Sequence, residues 1–209
     1  MFHHFAVAAG AATGGSTTAS FSPIAGSLGY IYYTDAIWAT AHDAATGSGT
    51  GGQGWARVKA RATTNFWQFF RAALVFDTSA IPDGATIDAA RLTLVMISKT
   101  DAFTSSVGVV ASTLATDTAL VAGDYDQFGT TDLATQRTIA SLSATGAEVF
   151  TLNAAGLAAI NKTGNTRLAI RISDDISDAE PTWSSNATSQ IRYEDDTGTV
   201  PALAIDYTY

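Results

Sequence analysis

The chain has 209 residues, of which 46% are hydrophobic and 14% charged, so it can bury a sizeable core and does not belong to the disordered class. It contains no cysteine, which excludes a disulfide framework, thiolate metal ligands and a cysteine nucleophile. The formal net charge is −8, with eleven lysines and arginines, and this argues against nucleic-acid binding, because phosphate contacts require a basic surface.

The first 22 residues predict a flexible N-terminal arm. After the apolar start MFHHFAVAAG the segment is rich in small and polar residues, with a glycine-containing hinge at residues 14–18. Phe2 and Phe5 would anchor this arm on a neighbouring molecule. A secretory signal is the alternative, although the segment lacks a basic start and a long apolar core. No apolar run in the chain approaches the roughly 18 residues that cross a membrane, so we expect no membrane partner.

The next two segments differ in their glycine content. Residues 26–40 predict one or two strands in which Tyr30 and Tyr32 share a face, because successive side chains of a strand point to opposite faces. Residues 41–54 contain too many glycines for a regular element. We therefore expect a strand followed by a loop.

A strand predicted at residues 55–62 carries the clearest charged row. Arg57, Lys59 and Arg61 alternate with small or apolar residues, so the three cations project from one face. A solvated outer face that protects an edge strand against aggregation is the simplest interpretation. The alternative is a contact with an acidic neighbouring subunit, which includes another copy of this acidic chain.

Residues 66–98 form the centre of the predicted fold. Two apolar stretches alternate with period two and flank a turn at residues 81–84, where Pro82 presets the backbone and Gly84 permits a tight bend. This pattern predicts two long, half-buried strands. Their inward rows are Phe70, Ala72, Leu74 and Phe76 in the first strand and Leu92, Leu94 and Met96 in the second.

The following residues continue the strand pattern with one interruption. Residues 107–114 and 136–152 predict strands, and the irregular connection at 115–135 between them is of a length that often packs down as a lid. Residues 153–164 predict one short helix, which begins after Asn153 as N-cap and ends before Gly164.

The last segments return to alternation. Residues 167–173 predict a strand with Arg171 on its outer face, residues 174–180 an acidic turn, and residues 201–209 the final strand. Together, the eight to ten strands and one short helix predict an all-β fold. We expect an antiparallel, jelly-roll-like β-sandwich over residues 23–209, preceded by the arm of residues 1–22.

Three stretches resemble the jelly-roll modules of the DNRLRE-type β-sandwich group and its phage relatives. They are FRAALVFDTSAIPDGATIDAARLTL, TLNAAGLAAINKTGNTRLAIRIS and WSSNATSQIRYEDDTGTVPALAIDYTY. The resemblance spans roughly residues 66–98 and 151–209, in the same order as in the group. It implies a non-enzymatic structural protein of a phage virion, either a capsid decoration protein or a tail or fibre component.

The same resemblance implies what such a protein would bind. Its partners would be copies of itself and other virion proteins. Some members of the group are secreted carbohydrate-binding modules, so the alternative is a module that binds surface glycans outside the cell.

We expect no catalytic site. His42-Asp43 is accompanied by neither a nucleophile elbow nor a cysteine, and it predicts a polar loop histidine. The glycine-rich residues 47–52 lack the Lys-Ser/Thr of a phosphate-binding loop. We therefore expect no cofactor other than a metal ion.

A calcium site is the candidate for that metal ion. Asp174, Asp175, Asp178 and Glu180 lie close together in sequence, and oxygen-rich turns can bind Ca²⁺. Their spacing does not match the twelve-residue calcium loop, and a solvated acidic turn is the alternative.

Aromatic residues near loops are candidates for a glycan platform. Trp55 and Trp183 are expected to be the more exposed pair, and Tyr30 and Tyr32 share a strand face. Aromatic rings line many ligand sites, although in a sandwich of this size most of them fill the core or its corners.

Overall fold

The computed structural model describes residues 15–61, 66–194 and 200–209. Twelve antiparallel strands and three short helices form in these residues, which confirms the predicted all-β fold. The strands are β1 (Ser16–Phe21), β2 (Gly29–Asp35), β3 (Gly49–Gly51), β4 (Gly54–Ala60), β5 (Trp67–Asp77), β6 (Thr86–Asp101), β7 (Ser106–Ala111), β8 (Arg137–Thr138), β9 (Gly146–Thr151), β10 (Asn165–Ile172), β11 (Thr188–Tyr193) and β12 (Ala202–Thr208). The helices are α1 (Trp38–His42), α2 (Ala154–Ala158) and α3 (Ser173–Ile176).

Strands β5 and β6 organise the sheet. The strand order is β1-β12-β6-β11-β4-β5-β10-β7-β8, with β2 also paired to β5 and β9 also paired to β6. Because β6 is 16 residues long, its first half pairs with β12 and its second half with β11. The sheet curls into a half-barrel, so apolar rows from distant strands enclose one core.

The two central strands are buried to different extents. In β6, Leu92, Leu94 and Met96 are buried and alternate with half-buried residues, as predicted. In β5, both faces are buried from Trp67 to Phe76, which differs from the half-buried strand expected. The reason is that Trp38 of α1 packs on Phe69 while Tyr30 packs on Phe70, and neighbouring residues of a strand face opposite ways.

The helix predicted after Asn153 is confirmed as α2. The side chain of Asn153 accepts a hydrogen bond from the Gly156 amide at 3.0 Å. The helix ends at Ala158, so Gly164 does not terminate it, and the prediction of a single helix was wrong: α1 and α3 form in segments expected to be strand, loop or acidic turn. Among the described residues, none of these helices has the length and apolarity to span a membrane.

Part of the segment predicted as a flexible arm belongs to the sheet. Ser16–Phe21 forms β1, which pairs antiparallel with β12 from Ser16 opposite Thr208 to Phe21 opposite Leu203. The Thr18 hydroxyl also donates to Asp206 Oδ1 at 2.6 Å. The expected hinge at residues 14–18 therefore overlaps a strand, while Phe2 and Phe5 lie outside the described residues.

Two truncations separate the contribution of β1 from that of the residues before it. Removing residues 1–22 deletes β1 and exposes the edge of β12, so we expect a lower melting temperature and concentration-dependent self-association through the new edge. Removing residues 1–14 leaves the β1–β12 ladder in place and serves as the matched control. Calorimetry and sedimentation velocity check both outcomes, and equal melting temperatures for the two truncations would contradict a stabilising β1.

Candidate functional site

One face of the sheet gathers aromatic and basic side chains from β2, β5, β4 and β11. The register places Tyr32 opposite Phe70 and Phe70 opposite Arg57, so their side chains share a face. Arg192 of β11 lies opposite Trp55 of β4 on the same face. We call this surface the basic aromatic face; its members are Tyr30, Tyr32, Trp55, Arg57, Lys59, Phe70 and Arg192.

Phe70 is the centre of the aromatic part. The ring of Tyr30 stacks on it with centroids 4.6 Å apart and planes 6° apart, and Trp55 contacts it edge-on at 4.7 Å. Tyr32 approaches it at 5.3 Å. Phe70 is therefore 5% exposed, whereas the three rings around it remain half-exposed and form a continuous aromatic surface.

Glycines in the short strand β3 make room for two of these rings. A Cβ atom on Gly51 would lie 2.6 Å from the Tyr30 ring, and one on Gly49 would lie 3.0 Å from the Tyr32 ring. The glycine-rich segment predicted as a loop thus pairs with β2 as a strand, and its lack of side chains allows both tyrosines to lie across it.

Two guanidinium groups lie on the same rings. The guanidinium carbon of Arg57 is 4.3 Å from the Phe70 centroid and 4.7 Å from that of Trp55, and Arg192 lies 4.9 Å from Trp55. These are cation–π distances. Arg57 also donates to Gln68 Oε1, and Arg192 donates to Gln53 Oε1 at 2.8 Å. Both arginines are positioned by neutral partners.

Within the described residues, the cations of this face, Arg57, Lys59 and Arg192, have no carboxylate as an ion-pair partner. Burial, with a smaller contribution from the charge of Arg61, lowers the pKa of Arg57 to about 10, although Tyr30 acts in the opposite direction. Burial and the charges of Arg57 and Arg61 also lower the pKa of Lys59. Arg57 is therefore still charged at neutral pH, and a face that gathers several basic side chains favours a negatively charged partner.

The structure brings together most of the residues predicted for two different roles. Tyr30, Tyr32 and Trp55 of the glycan platform lie on the same face as Arg57 and Lys59 of the charged row. Arg61 follows β4 and is exposed. Trp183 is separate: it lies between α3 and β11 and packs half-buried against the core.

A second group of charged residues is buried on the other face of β5. Asp175 of α3 lies between Arg71 of β5 and Arg171 of β10, with nitrogen–oxygen distances of 2.8 Å to each. All three side chains are no more than 4% exposed. Arg171 was predicted to face solvent; it is buried because it binds Asp175 and donates to the carbonyl oxygens of Phe128 and Gly129.

This network connects segments that are distant in sequence. Arg71 donates to the carbonyl of Tyr125 at 2.7 Å and to that of His42 at 2.8 Å, and the Tyr125 hydroxyl donates to the carbonyl of Ala41. Burial would raise the pKa of Asp175, but Arg171 and Arg71 outweigh it and hold the pKa well below its ordinary value. The carboxylate therefore stays ionised and fixes both arginines.

The four carboxylates predicted to bind Ca²⁺ have different partners. Asp175 is engaged by the two arginines, Asp178 accepts from the Trp38 indole at 2.7 Å, and Glu180 accepts from the Trp67 indole at 2.8 Å. Within the described ranges, the metal-type cluster that forms contains Asp178 with His42 and Asp43. Among the described residues these four carboxylates do not converge as one metal-type group, and the calcium site stays a prediction.

A cavity of about 230 Å³ opens beside the network. It is lined by His42, Asp43, Arg71, Asp126, Phe128, Thr130 and Arg171. Its loop residues come from the long irregular connection predicted at 115–135, which packs over Arg71. The histidine predicted to be a polar loop residue belongs to α1, and its side chain is 13% exposed.

Four residues of these sites were not predicted from the sequence as site residues: Phe70, Arg71, Arg171 and Arg192. The available signal was an arginine within the apolar run FFRAALVF, because a charge inside a buried strand requires a partner. The identity of that partner depends on the fold. Scans against models of known protein families and against curated proteins found no match to this chain.

Asp175→Asn should strongly destabilise the protein. It leaves two buried arginines without their counter-charge, and we expect a loss of about 3–5 kcal/mol in the free energy of unfolding. Denaturant unfolding at neutral pH measures this loss. Asp126→Asn is the matched control, since Asp126 is exposed at the same cavity, and should change stability by less than about 0.5 kcal/mol.

The same variant should change the response to acid. The pKa of Asp175 in the folded protein lies below its unfolded value of about 3.9, so its contribution to stability is present above that pH and is lost as the pH falls toward the folded pKa. Between neutral and acidic pH, the free energy of unfolding should therefore fall less for Asp175→Asn than for the wild-type protein. If the free energy of unfolding fell equally with decreasing pH in both proteins, this result would contradict an ionised Asp175 in the folded protein.

Proposed function

We propose that the chain is a non-enzymatic structural protein of a phage virion, a capsid decoration protein or a tail or fibre component that acts through protein–protein contacts. The resemblance of residues 66–98 and 151–209 to jelly-roll modules suggests this class of protein. The observation that carries a contact role is the basic aromatic face, whose cations form no ion pair among the described residues although the chain has a net charge of −8.

The composition of the face fits a protein interface. Aromatic residues and arginine are enriched in the buried centres of interfaces, and Tyr30, Trp55 and Arg57 are of these types. Arg57 is already packed on rigid rings, so little side-chain entropy is lost when a partner binds. An acidic patch on another copy of the chain or on another virion protein would supply the missing counter-charge.

Charge substitutions on the face test this proposal. Arg57→Gln combined with Lys59→Gln should weaken association of purified protein by about tenfold or more and reduce its dependence on salt, because the attraction is electrostatic. Sedimentation velocity at low and high salt measures self-association, and electron microscopy of labelled particles measures incorporation. Unchanged association and incorporation of the double variant would contradict the proposal.

Arg91→Gln provides a matched control for this experiment. It removes one positive charge from a half-buried site at which Arg91 is already paired with Asp206, at 2.9 Å. We expect wild-type association for this variant. If both substitutions weakened association equally, the effect would come from net charge and not from the face.

A carbohydrate-binding module is the second candidate. It is favoured by the ring geometry: Tyr30 and Trp55 surround Phe70 and leave half-exposed rings on which a sugar can stack. This role would place the protein at a host or extracellular surface.

A glycan array distinguishes the two candidates. Binding that is lost in Trp55→Ala but kept in Trp183→Ala would support a glycan site, because Trp183 lies outside the face. An array without binding, together with salt-sensitive self-association, would leave the protein-contact role as the better account. Circular dichroism of both variants confirms that they are folded.

A further inference from the structure

A histidine and two aspartates converge beside the cavity. The Nδ1 atom of His42 lies 2.5 Å from Asp43 Oδ1 and 3.5 Å from Asp178 Oδ1. The three potential ligand atoms all lie within 4.8 Å of one another. His42 and Asp43 come from the end of α1, whereas Asp178 follows α3, so the fold unites groups that are far apart in sequence.

A backbone carbonyl outside this cluster holds the imidazole in one tautomer. His42 Nε2 lies 2.8 Å from the carbonyl oxygen of Asp175. Because a carbonyl oxygen only accepts, Nε2 carries a proton, so in the neutral form of the ring the lone pair of Nδ1 faces the two carboxylates. Three electron-pair donors facing one another repel unless a cation lies between them. A metal-ligating histidine is usually oriented by such a bond from its other nitrogen.

The Asp178 carboxylate is also held in place. The Trp38 indole donates to its Oδ1 at 2.7 Å. The backbone of Asp178 has φ of +50°, a conformation that is uncommon outside glycine. Asp126 lines the same cavity and adds negative charge there. These carboxylates favour a cation near Nδ1. The positive charges of Arg71 and Arg171, which line the same cavity, would oppose it, but Asp175 compensates them in part.

We propose that His42 Nδ1 and the carboxylates of Asp43 and Asp178 bind a divalent transition-metal ion of the zinc class. Mixed imidazole and carboxylate ligands suit zinc, whereas calcium takes six to eight oxygen ligands. Ligand atoms of a tetrahedral zinc lie about 3.3 Å apart. The separation of 3.5 Å between Nδ1 and Asp178 Oδ1 is close to this value.

The position of Asp43 and the adjacent cavity fit a zinc site with three protein ligands and one free coordination position. Asp43 lies nearer to Nδ1 than a zinc complex requires, but its side chain is 67% exposed and free to rotate. Three protein ligands leave a fourth position, and the adjacent cavity has room for water or a small anionic ligand there. The competing cation is a proton on Nδ1, which would bind Asp43 directly and leave no metal site.

Calorimetric titration of the full chain with zinc chloride tests this site. His3 and His4 are the other histidines of the chain, so the titration uses a His3→Ala, His4→Ala background. We expect one equivalent of zinc to bind. Asp43→Asn, at an exposed position that should not affect folding, should lower the affinity at least tenfold. Asp126→Asn removes a charge from the same cavity but no ligand atom, so it should lower the affinity much less than Asp43→Asn does.

The indole signals of the tryptophans give a second measurement. Zinc should shift the Trp38 indole N–H resonance, because Trp38 donates to Asp178, and should leave that of Trp55 in place, because Trp55 packs on the opposite face of β5. Absence of zinc binding at millimolar concentration would overturn the proposal and assign the cluster to a protonated histidine. So would equal binding by the wild-type protein and Asp43→Asn.

Discussion

The buried carboxylate of Asp175 holds together the segments that pack on one side of strand β5. It is the shared counter-charge of Arg71 and Arg171, and these arginines in turn hold the carbonyls of α1 and of the loop around residues 125–129. A buried charge without a partner costs several kcal/mol, so the three groups must assemble together or not at all. Strands β5 and β10, helix α3 and the loop are thereby fixed in one arrangement.

Strand β5 links this network to the basic aromatic face. Phe69 and Arg71 point to one side and support α1, Asp175 and the cavity, while Phe70 points to the other side and supports Tyr30, Trp55 and Arg57. Adjacent residues of a single strand thus contribute to two surfaces with opposite electrostatics. One side carries cations that form no ion pair in the part of the chain that the structure describes. The other side carries a histidine and carboxylates around two arginines that pair with Asp175.

The sequence predicts the fold better than it predicts the sites. Alternation identified most of the strands, and the capping residue Asn153 identified α2, because both signals are local. The burial of Arg171 was missed, since its alternation with Ile170 and Ile172 is the same whether the outer side faces solvent or a second charged layer. Short helices such as α1 are stabilised by tertiary contacts, here the packing of Trp38 on Phe69, and local sequence does not encode these contacts.

The pairing of β1 with β12 has a mechanical consequence. Ser16 lies opposite Thr208, so the two strands leave their ladder at the same end. A pulling force applied between these positions would open the ladder one hydrogen bond at a time, as a zipper opens, and would not load all the bonds in shear. Attachment through Ser16 and Thr208 would therefore resist force weakly, whereas attachment through the face of the sheet would put no force on this ladder.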